Sequence, residues 1–293
     1  MGPRPFANKA AGSHPPFMTG SQMLSGVRIG HPPRGEDGNF PFAIPALQGL
    51  REVAFPGPVT ILAGENGSGK STLLEALAIM AKLPTAGSAD AAVDESLQGP
   101  RKLARVMTPI WRGRSHRGFF LRAEDFFGFV RRLGAMKSEM EERLAEVDRD
   151  YADRSDLARK LARGPAAGSL AAMRSRYGDD LDANSHGESF LRLFRSRFVP
   201  GGLYLLDEPE AALSPQSQLG FVSMMSGMVG EGGQFVIATH SPVLMAVPDA
   251  TLYTFDASPM QRVEYEALEG VTLLRSFLQA PARYMRHIWR PPA

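Results

Sequence analysis

The sequence predicts an α/β fold with a mostly parallel central sheet and a helical insertion. Three short apolar segments support this prediction: Val59–Ala63, Leu203–Asp207 and Gln234–Thr239. Each follows a Gly or Pro and is rich in large apolar residues, as buried strands are. Helical segments lie between them along the chain, and strands that alternate with helices favour a parallel sheet.

The composition is that of a globular domain and excludes several classes of protein. Of the 293 residues, 43% are hydrophobic and 22% are charged, so the chain can bury a core. Cysteine is absent, which excludes disulfides, iron–sulfur clusters, cysteine nucleophiles and thiolate zinc sites. No apolar run approaches the roughly 20 residues of a membrane helix, and no apolar signal core begins the chain. We therefore expect a cytoplasmic protein without a membrane span.

The chain is expected to divide into a leader and one large domain. Residues 1–38 are rich in proline and glycine and predict a flexible leader with a short strand near Leu24–Ile29. Residues 39–293 form the α/β domain, into which a helical subdomain is inserted at about 124–200. Acids and bases alternate at helical spacing over Leu133–Arg163, which indicates a short exposed hairpin of helices.

Two further segments complete the secondary-structure prediction. Gly118–Arg122 has the apolar character of a strand and leads directly into the insertion. Gly164–Asn184 carries small and polar residues and is expected to be looser.

The turn after the first strand matches the phosphate-loop pattern G-x-x-x-x-G-K-[ST], and a predicted helix follows it, as the pattern requires. Glycines let the backbone wrap closely around phosphate, while backbone amides and the helix N-terminus face the anion. Lys70 is expected to reach the β- and γ-phosphate oxygens, and the Ser71 hydroxyl to ligate Mg²⁺. The predicted ATP-binding residues here are Gly64, Glu65, Asn66, Gly67, Ser68, Gly69, Lys70, Ser71 and Thr72.

Acidic and imidazole side chains follow the other two strands. Asp207 and Glu208 end the second strand, and His240 follows the third. Ligands of open α/β sheets bind at the carboxyl ends of the strands, so these residues should share one crevice. We expect Asp207 to hold Mg²⁺ and Glu208 to act as the general base that polarises the attacking water, while His240 contacts the γ-phosphate.

The order of these motifs resembles the ATP-binding-cassette (ABC) ATPases of the P-loop superfamily. Asn184-Ser-His-Gly-Glu188 is similar to a degenerate form of the family signature, and the resemblance implies that Ser185 and Gly187 contact ATP bound to a second subunit. An ordinary serine N-cap with a capping box is the alternative. In detail the motifs are similar to small bacterial ATPases of the RecF, OLD and SMC branch, over about residues 39–290.

The chain departs from the family pattern at three points. Ser214 stands where the D-loop usually has Asp, and no glutamine follows the Phe119–Leu121 strand in the position of the Q-loop. Glu124 is the best-placed substitute and is expected to ligate the metal. The adenine-stacking aromatic is open among three phenylalanines, each of which also suits the core: Phe40, Phe42 and Phe55.

The resemblance implies an ATP-dependent homodimer, and the charge pattern suggests what it acts on. Basic side chains, with aromatic residues interleaved, dominate Arg101–Arg132, which is typical of a surface that follows a nucleic-acid backbone. A solvated basic face is the alternative. We therefore expect an ATPase that acts on DNA or a DNA-associated protein, with a transporter's nucleotide-binding subunit or a slow ATP-dependent switch as alternatives.

Overall fold

The computed structural model describes residues 23–85, 97–113, 117–177 and 186–289. Within these ranges the chain forms two sheets with helices packed against them. The strands are β1 (Leu24–Ile29), β2 (Glu52–Ala54), β3 (Val59–Ala63), β4 (Met107–Trp111), β5 (Gly118–Arg122), β6 (Leu203–Asp207), β7 (Gln234–Ala238), β8 (Thr251–Thr254) and β9 (Gln261–Val263). The helices are α1 (Lys70–Ala81), α2 (Gln98–Arg105), α3 (Ala123–Asp150), α4 (Asp156–Tyr177), α5 (His186–Arg197), α6 (Pro215–Gly230), α7 (Pro242–Met245), α8 (Glu269–Gln279) and α9 (Pro281–Ile288).

The larger sheet has the strand order β5-β6-β7-β3-β8-β9 and is parallel except for the edge strand β9. Every residue of β3, β6 and β7 is buried, because helices or loops cover both faces of the sheet. Strands buried on both faces are continuous apolar runs in the sequence, which is why these three were recognisable. The predicted α/β class with a mostly parallel sheet is confirmed.

A smaller antiparallel sheet, β2-β1-β4, incorporates part of the expected leader. Leu24 and Val27 of β1 are fully buried, and the side chain of Gln234 donates to the Leu24 carbonyl at 2.7 Å. The expected leader boundary at residue 38 is therefore too late, since the body of the protein includes residues from Met23 onward. Residues 1–22 lie outside the described residues. The strand is stabilised by partners distant in sequence, such as Trp111 opposite Leu24, and not by its own neighbourhood.

Helices α3 and α4 form an antiparallel hairpin held by ion pairs on its surface. Asp148 pairs with Arg163, and Glu141 lies 3.8 Å from Arg174. The expectation of a looser segment from Gly164 is wrong as far as Tyr177, because α4 continues through it. Packing of α4 against α3 and α5 outweighs the low helix propensity of its Gly and Pro residues. Helices α3–α5 occupy the predicted insertion, and its status as a separate subdomain stays a prediction.

An aromatic cluster fixes α5 on the sheet. The Phe194 ring lies 4.5 Å from that of Phe190 and 5.0 Å from that of Phe221 on α6, measured between centroids. Tyr204 of β6 and Phe235 of β7 pack 4.9 Å apart within the same hydrophobic cluster. Helix α5 is thus packed on α6, and the Phe198 ring that follows it lies 4.6 Å from that of Tyr204 on β6. In the described ranges, no helix combines the length and apolar content needed to cross a membrane.

Candidate nucleotide-binding and catalytic site

The loop between β3 and α1 adopts a conformation that only glycine permits at two points. Gly64 has φ +145°, and a Cβ there would lie 2.9 Å from the Phe255 side chain. Gly69 has φ +104°, and a Cβ there would lie 2.5 Å from Ile44 Cγ2. The Glu65 N–H donates to Asp256 Oδ1 at 2.9 Å, which ties the loop to the turn after β8. The loop is therefore preformed, with its shape set by glycine geometry and by neighbouring strands.

Lys70, the first residue of α1, folds back over this loop. Its Nζ donates to the carbonyl oxygens of Gly64 at 2.8 Å and Glu65 at 2.7 Å. Burial lowers the pKa of Lys70, and the carboxylates of Glu208 and Asp207 act in the opposite direction. A buried ammonium that donates to neutral carbonyl oxygens would form stronger, charge-assisted bonds with phosphate oxygens.

Ser71 and Asp207 bring a hydroxyl and a carboxylate together beside the loop. Ser71 Oγ donates to Asp207 Oδ1 at 3.1 Å, across 136 positions of sequence. Burial raises the pKa of Asp207 to about 7, and the Ser71 hydrogen bond opposes that rise. Mg²⁺ is usually held by one or two protein oxygens together with substrate phosphates and water, so this donor pair fits it. Among the described residues no group of three or more His, Cys, Asp or Glu could form an all-protein metal cage.

Glu208 and His240 meet at the ends of adjacent strands. His240 Nε2, itself a buried atom, lies 3.2 Å from Glu208 Oε1, and the two side chains are partly exposed. The Glu208 backbone has φ +49°, an uncommon conformation for a residue with a side chain, and its N–H donates to the Ala238 carbonyl at 2.9 Å. This sharp turn after β6 lets the Glu208 carboxylate face His240, two residues after the end of β7. The arrangement can hold and polarise a water molecule at the mouth of the loop.

Glu210 is a component of the site to which the sequence assigned no role. Its Oε1 accepts the backbone N–H groups of His240 at 2.6 Å and Ser241 at 3.2 Å. Ser241 Oγ donates in turn to Gln218 Oε1 at 2.5 Å. Glu210 Oε2 is buried and has no hydrogen-bond partner among the described residues. The only sequence signal was its place as the third acid of Asp207-Glu-Pro-Glu210, and the turn that presents His240 depends on it.

A second group of charges lies beside Asp207, at the end of β5. Arg122 is buried; its Nε lies 3.0 Å from Asp125 Oδ2, and its Nη1 lies 3.6 Å from Glu75 Oε1 and 3.2 Å from Glu124 Oε1. The Glu124 side chain is largely exposed, and its role as a metal ligand stays a prediction. Glu75, one helical turn after Ser71, is the acid that the sequence analysis missed. Burial raises its pKa to about 7, the charge of Asp207 adds to the rise, and Arg122 opposes it.

The remaining predicted residues lie in the phosphate loop and α1, in α5, or outside the described residues. Asn66, Gly67 and Thr72 lie in the loop and the first turn of α1, and Ser68 Oγ is 3.5 Å from Lys70 Nζ. Gly187 lies in the first turn of α5, whereas Ser185 lies outside the described residues.

The structure also shows where Ser214 and the three candidate phenylalanines lie. Ser214 is the N-cap of α6, where it accepts from the Ser217 N–H at 3.2 Å. Of the aromatic candidates for adenine stacking, Phe42 and Phe55 are buried in the core and Phe40 alone is exposed.

Fold and site together define a P-loop nucleoside triphosphatase. The family model described as "AAA domain, putative AbiEii toxin, Type IV TA system" matches residues 142–246, and an "AAA domain" model matches residues 43–87. The cytochrome c biogenesis ATP-binding export protein CcmA of Nitrobacter winogradskyi is 28% identical over 68% of this chain and 86% of its own length. The lipoprotein-releasing system ATP-binding protein LolD of Bordetella avium is 28% identical over 80% of this chain and 96% of its own. These matches support an ATP-binding and ATP-hydrolysing chain that is similar to ATPases of the ABC type.

Two solved structures match the chain with low overall similarity. The Smc head domain of Pyrococcus furiosus, bound to the C-terminal domain of ScpA, has a TM-score of 0.42 and 12% identity, with 87% of this chain and 99% of that chain covered. An ATP-binding cassette of an ABC transporter in its ADP conformation has a TM-score of 0.43 and 16% identity, with 90% and 98% covered.

Glu75→Gln is expected to stabilise the nucleotide-free protein at high pH. The pKa of Glu75 rises from 4.5 to about 7 on folding, so the folded state binds more protons than the unfolded state between these values. The carboxylate therefore costs stability progressively as the pH rises through that interval. Glutamine cannot ionise, and we expect a gain of roughly 1–3 kcal/mol at about pH 8 and little gain at about pH 4. Urea unfolding at the two pH values measures it, with the exposed Glu266→Gln as control; an equal gain at both would contradict the prediction.

Proposed function

We propose that the chain hydrolyses Mg²⁺-bound ATP, with Glu208 as the general base and His240 as the residue that positions the attacking water. The observation that supports this assignment is the 3.2 Å approach of His240 Nε2 to Glu208 Oε1 beside the phosphate loop. Glu208 would accept a proton as the water oxygen bonds to the γ-phosphorus, while the bond from that phosphorus to the bridging oxygen breaks and ADP leaves. Lys70 and the loop amides would stabilise the charge on the phosphate oxygens.

Ser71 and Asp207 are the residues that would hold Mg²⁺, because their oxygens already converge at 3.1 Å. The metal supplies charge neutralisation at the phosphates. Phe40, the exposed member of the three phenylalanines, is the proposed adenine contact; its ring lies against Gly99 of α2, and Ile44, four residues later, lies against Gly69 of the loop.

ATP is proposed to join two copies of the chain head to tail. The N-terminal turn of α5, which carries Gly187, would face the γ-phosphate of the partner's ATP together with Ser185, since a helix N-terminus favours an anion. Hydrolysis removes that phosphate and releases the pair.

DNA or a DNA-associated protein is the proposed target of this cycle in the cytoplasm. Exposed basic side chains remain along the stretch Arg101–Arg132, among them Arg105, Arg131 and Arg132. Arg122 is not available for this role because it is buried among acids. The alternative, a transporter's nucleotide-binding subunit, is favoured by the names of the curated relatives, which are export and import ATPases. Co-purification with an integral membrane protein would support it.

Glu208→Gln is expected to retain ATP binding and lose turnover by roughly 10²–10⁴-fold, the usual effect of losing a general base.

Lys70→Ala should instead weaken ATP binding itself, by roughly tenfold or more, because it removes the charge nearest the phosphates. Calorimetry measures affinity and phosphate release measures turnover, with the exposed Glu266→Gln as a matched control. Turnover near that of the unmodified protein in Glu208→Gln would remove Glu208 from the role.

Glu210→Ala is expected to lower kcat by about 10- to 100-fold with little change in KM for ATP, because the turn that aims His240 loses its acceptor. In a His240→Ala background the same substitution should add little, since both changes remove one positioned imidazole. Steady-state kinetics on the four proteins measures the coupling. Additive losses would mean that Glu210 acts independently of His240.

Arg131→Glu combined with Arg132→Glu is expected to weaken duplex DNA binding by at least about tenfold and to reduce its salt dependence. A filter-binding or shift assay at two salt concentrations measures both. Arg149→Glu combined with Arg154→Glu makes the same charge change on exposed residues of the hairpin outside the basic stretch. If the two pairs weaken binding equally, or the unmodified protein binds no DNA, the stretch is a solvated face.

A further inference from the structure

The last two helices carry an apolar surface exposed to solvent. Val271, in the first turn of α8, is buried. Every apolar side chain described after Val271 is at least partly exposed. The exposed fractions are 66% for Leu278, 73% for Ile288 and 73% for Trp289. We call residues 269–289 the C-terminal hairpin.

Each helix of this hairpin is amphipathic. Residues three or four apart lie on the same side of a helix, which groups Leu274 with Leu278 in α8 and Tyr284 with Ile288 in α9. The Phe277 and Tyr284 rings meet at 5.7 Å, and the Tyr284 hydroxyl donates to Ser276 at 2.8 Å, so the two helices are fixed to each other. The apolar side chains are Leu273, Leu274, Phe277 and Leu278 in α8 and Tyr284, Met285, Ile288 and Trp289 in α9 or directly after it.

Apart from Glu269, the first residue of α8, the charged side chains of this segment are all positive. From residue 270 to 293 the sequence contains four arginines and neither Asp nor Glu. Arg275, Arg283 and Arg286 are exposed in the structure. Two occupants from this chain would bring further positive charge to the surface. One is a second copy of the same surface, and the other is residues 1–22, which contain Arg4 and Lys9 but no acid. Charge complementarity therefore favours neither of them.

The polar sides of the helices indicate what kind of partner is complementary. By helical spacing, Arg283 and Arg286 lie away from the Ile288 side of α9. A protein bound to the apolar side would leave these arginines outside the contact. A negatively charged surface attracts them without contact, since a charge acts over about 8–10 Å at physiological salt.

We propose that the C-terminal hairpin binds an anionic lipid bilayer, with its helices in the plane of the membrane surface. The apolar sides of α8 and α9 would enter the boundary between headgroups and acyl chains, and the arginines on the opposite sides would face the solution, within reach of the field of the anionic headgroups. Trp289 has the amphipathic ring that concentrates at this depth. The inference does not depend on the proposed catalytic residues.

Vesicle flotation of the full chain tests the proposal. The probes are vesicles of phosphatidylcholine alone and vesicles of phosphatidylcholine mixed with phosphatidylglycerol. We expect binding to the mixed vesicles that weakens with added salt, and a blue shift of tryptophan emission that Trp289→Phe removes. Leu278→Glu combined with Ile288→Glu should weaken binding by at least about tenfold, and Arg283→Glu with Arg286→Glu should abolish the preference for anionic vesicles.

Leu161→Glu is the matched control, because Leu161 is 69% exposed on α4 and should leave vesicle binding unchanged. ATP hydrolysis equal to that of the unmodified chain shows that each variant is folded. Vesicle binding is measured independently of this activity, so its result stands even if the unmodified chain does not hydrolyse ATP. Equal or absent binding to the two vesicle types would overturn the proposal. Sedimentation velocity tests whether the surface pairs two copies instead. Self-association that Leu278→Glu combined with Ile288→Glu abolishes, and with which anionic vesicles do not compete, would also overturn the proposal.

Discussion

The register of three parallel strands determines where every component of the site lies. Leu62 of β3 pairs with Ala238 of β7, and Ala238 pairs with Asp207 of β6, so these residues lie level across the sheet. The phosphate loop begins at Gly64, two residues after Leu62. Glu208 comes one residue after Asp207, and His240 comes two residues after Ala238. A one-residue slip of any strand would turn its side chains to the opposite face and separate the groups.

The charges brought together in this way do not balance within the described part of the site. Lys70 lies within the fields of Glu208, Asp207, Asp256 and Glu210, and burial disfavours the charged forms of both Lys70 and Asp207. Arg122 compensates Glu75, one turn after Ser71 in α1, and Asp125 in the first turn of α3. An anionic triphosphate would add further negative charge to this excess of acids. The protein residues therefore fit a ligand that arrives with its own divalent cation better than a bare anion.

Most of this arrangement was predictable because its signals are local. Gly64 and Gly69 mark a loop that only glycine can form, and β3, β6 and β7 are continuous apolar runs between turn residues. The errors concern features that depend on distant partners. Strand β1 pairs with β2 and β4, and α4 continues past Gly164 because it packs on its neighbours. Arg122 was counted in a basic face, since no local pattern reveals that Glu75 and Asp125 enclose it.

The hydrogen bonds around the site also explain how events at the phosphates would reach other elements. Glu210 and Gln218 both bond to the turn that carries His240, and Gln218 also donates to the Leu213 carbonyl just before α6. Arg122 joins α1, which begins at the loop, to the first turn of α3 and so to the helical hairpin. Because the Glu210 and Arg122 contacts involve charged groups, a change of charge at the γ-phosphate position alters their energies more than it alters apolar packing. Arg122 reaches α3 directly, and the turn that Glu210 holds reaches α6 through the neutral hydrogen bond of Ser241 to Gln218, so hydrolysis can be coupled to both elements without rearranging the apolar core.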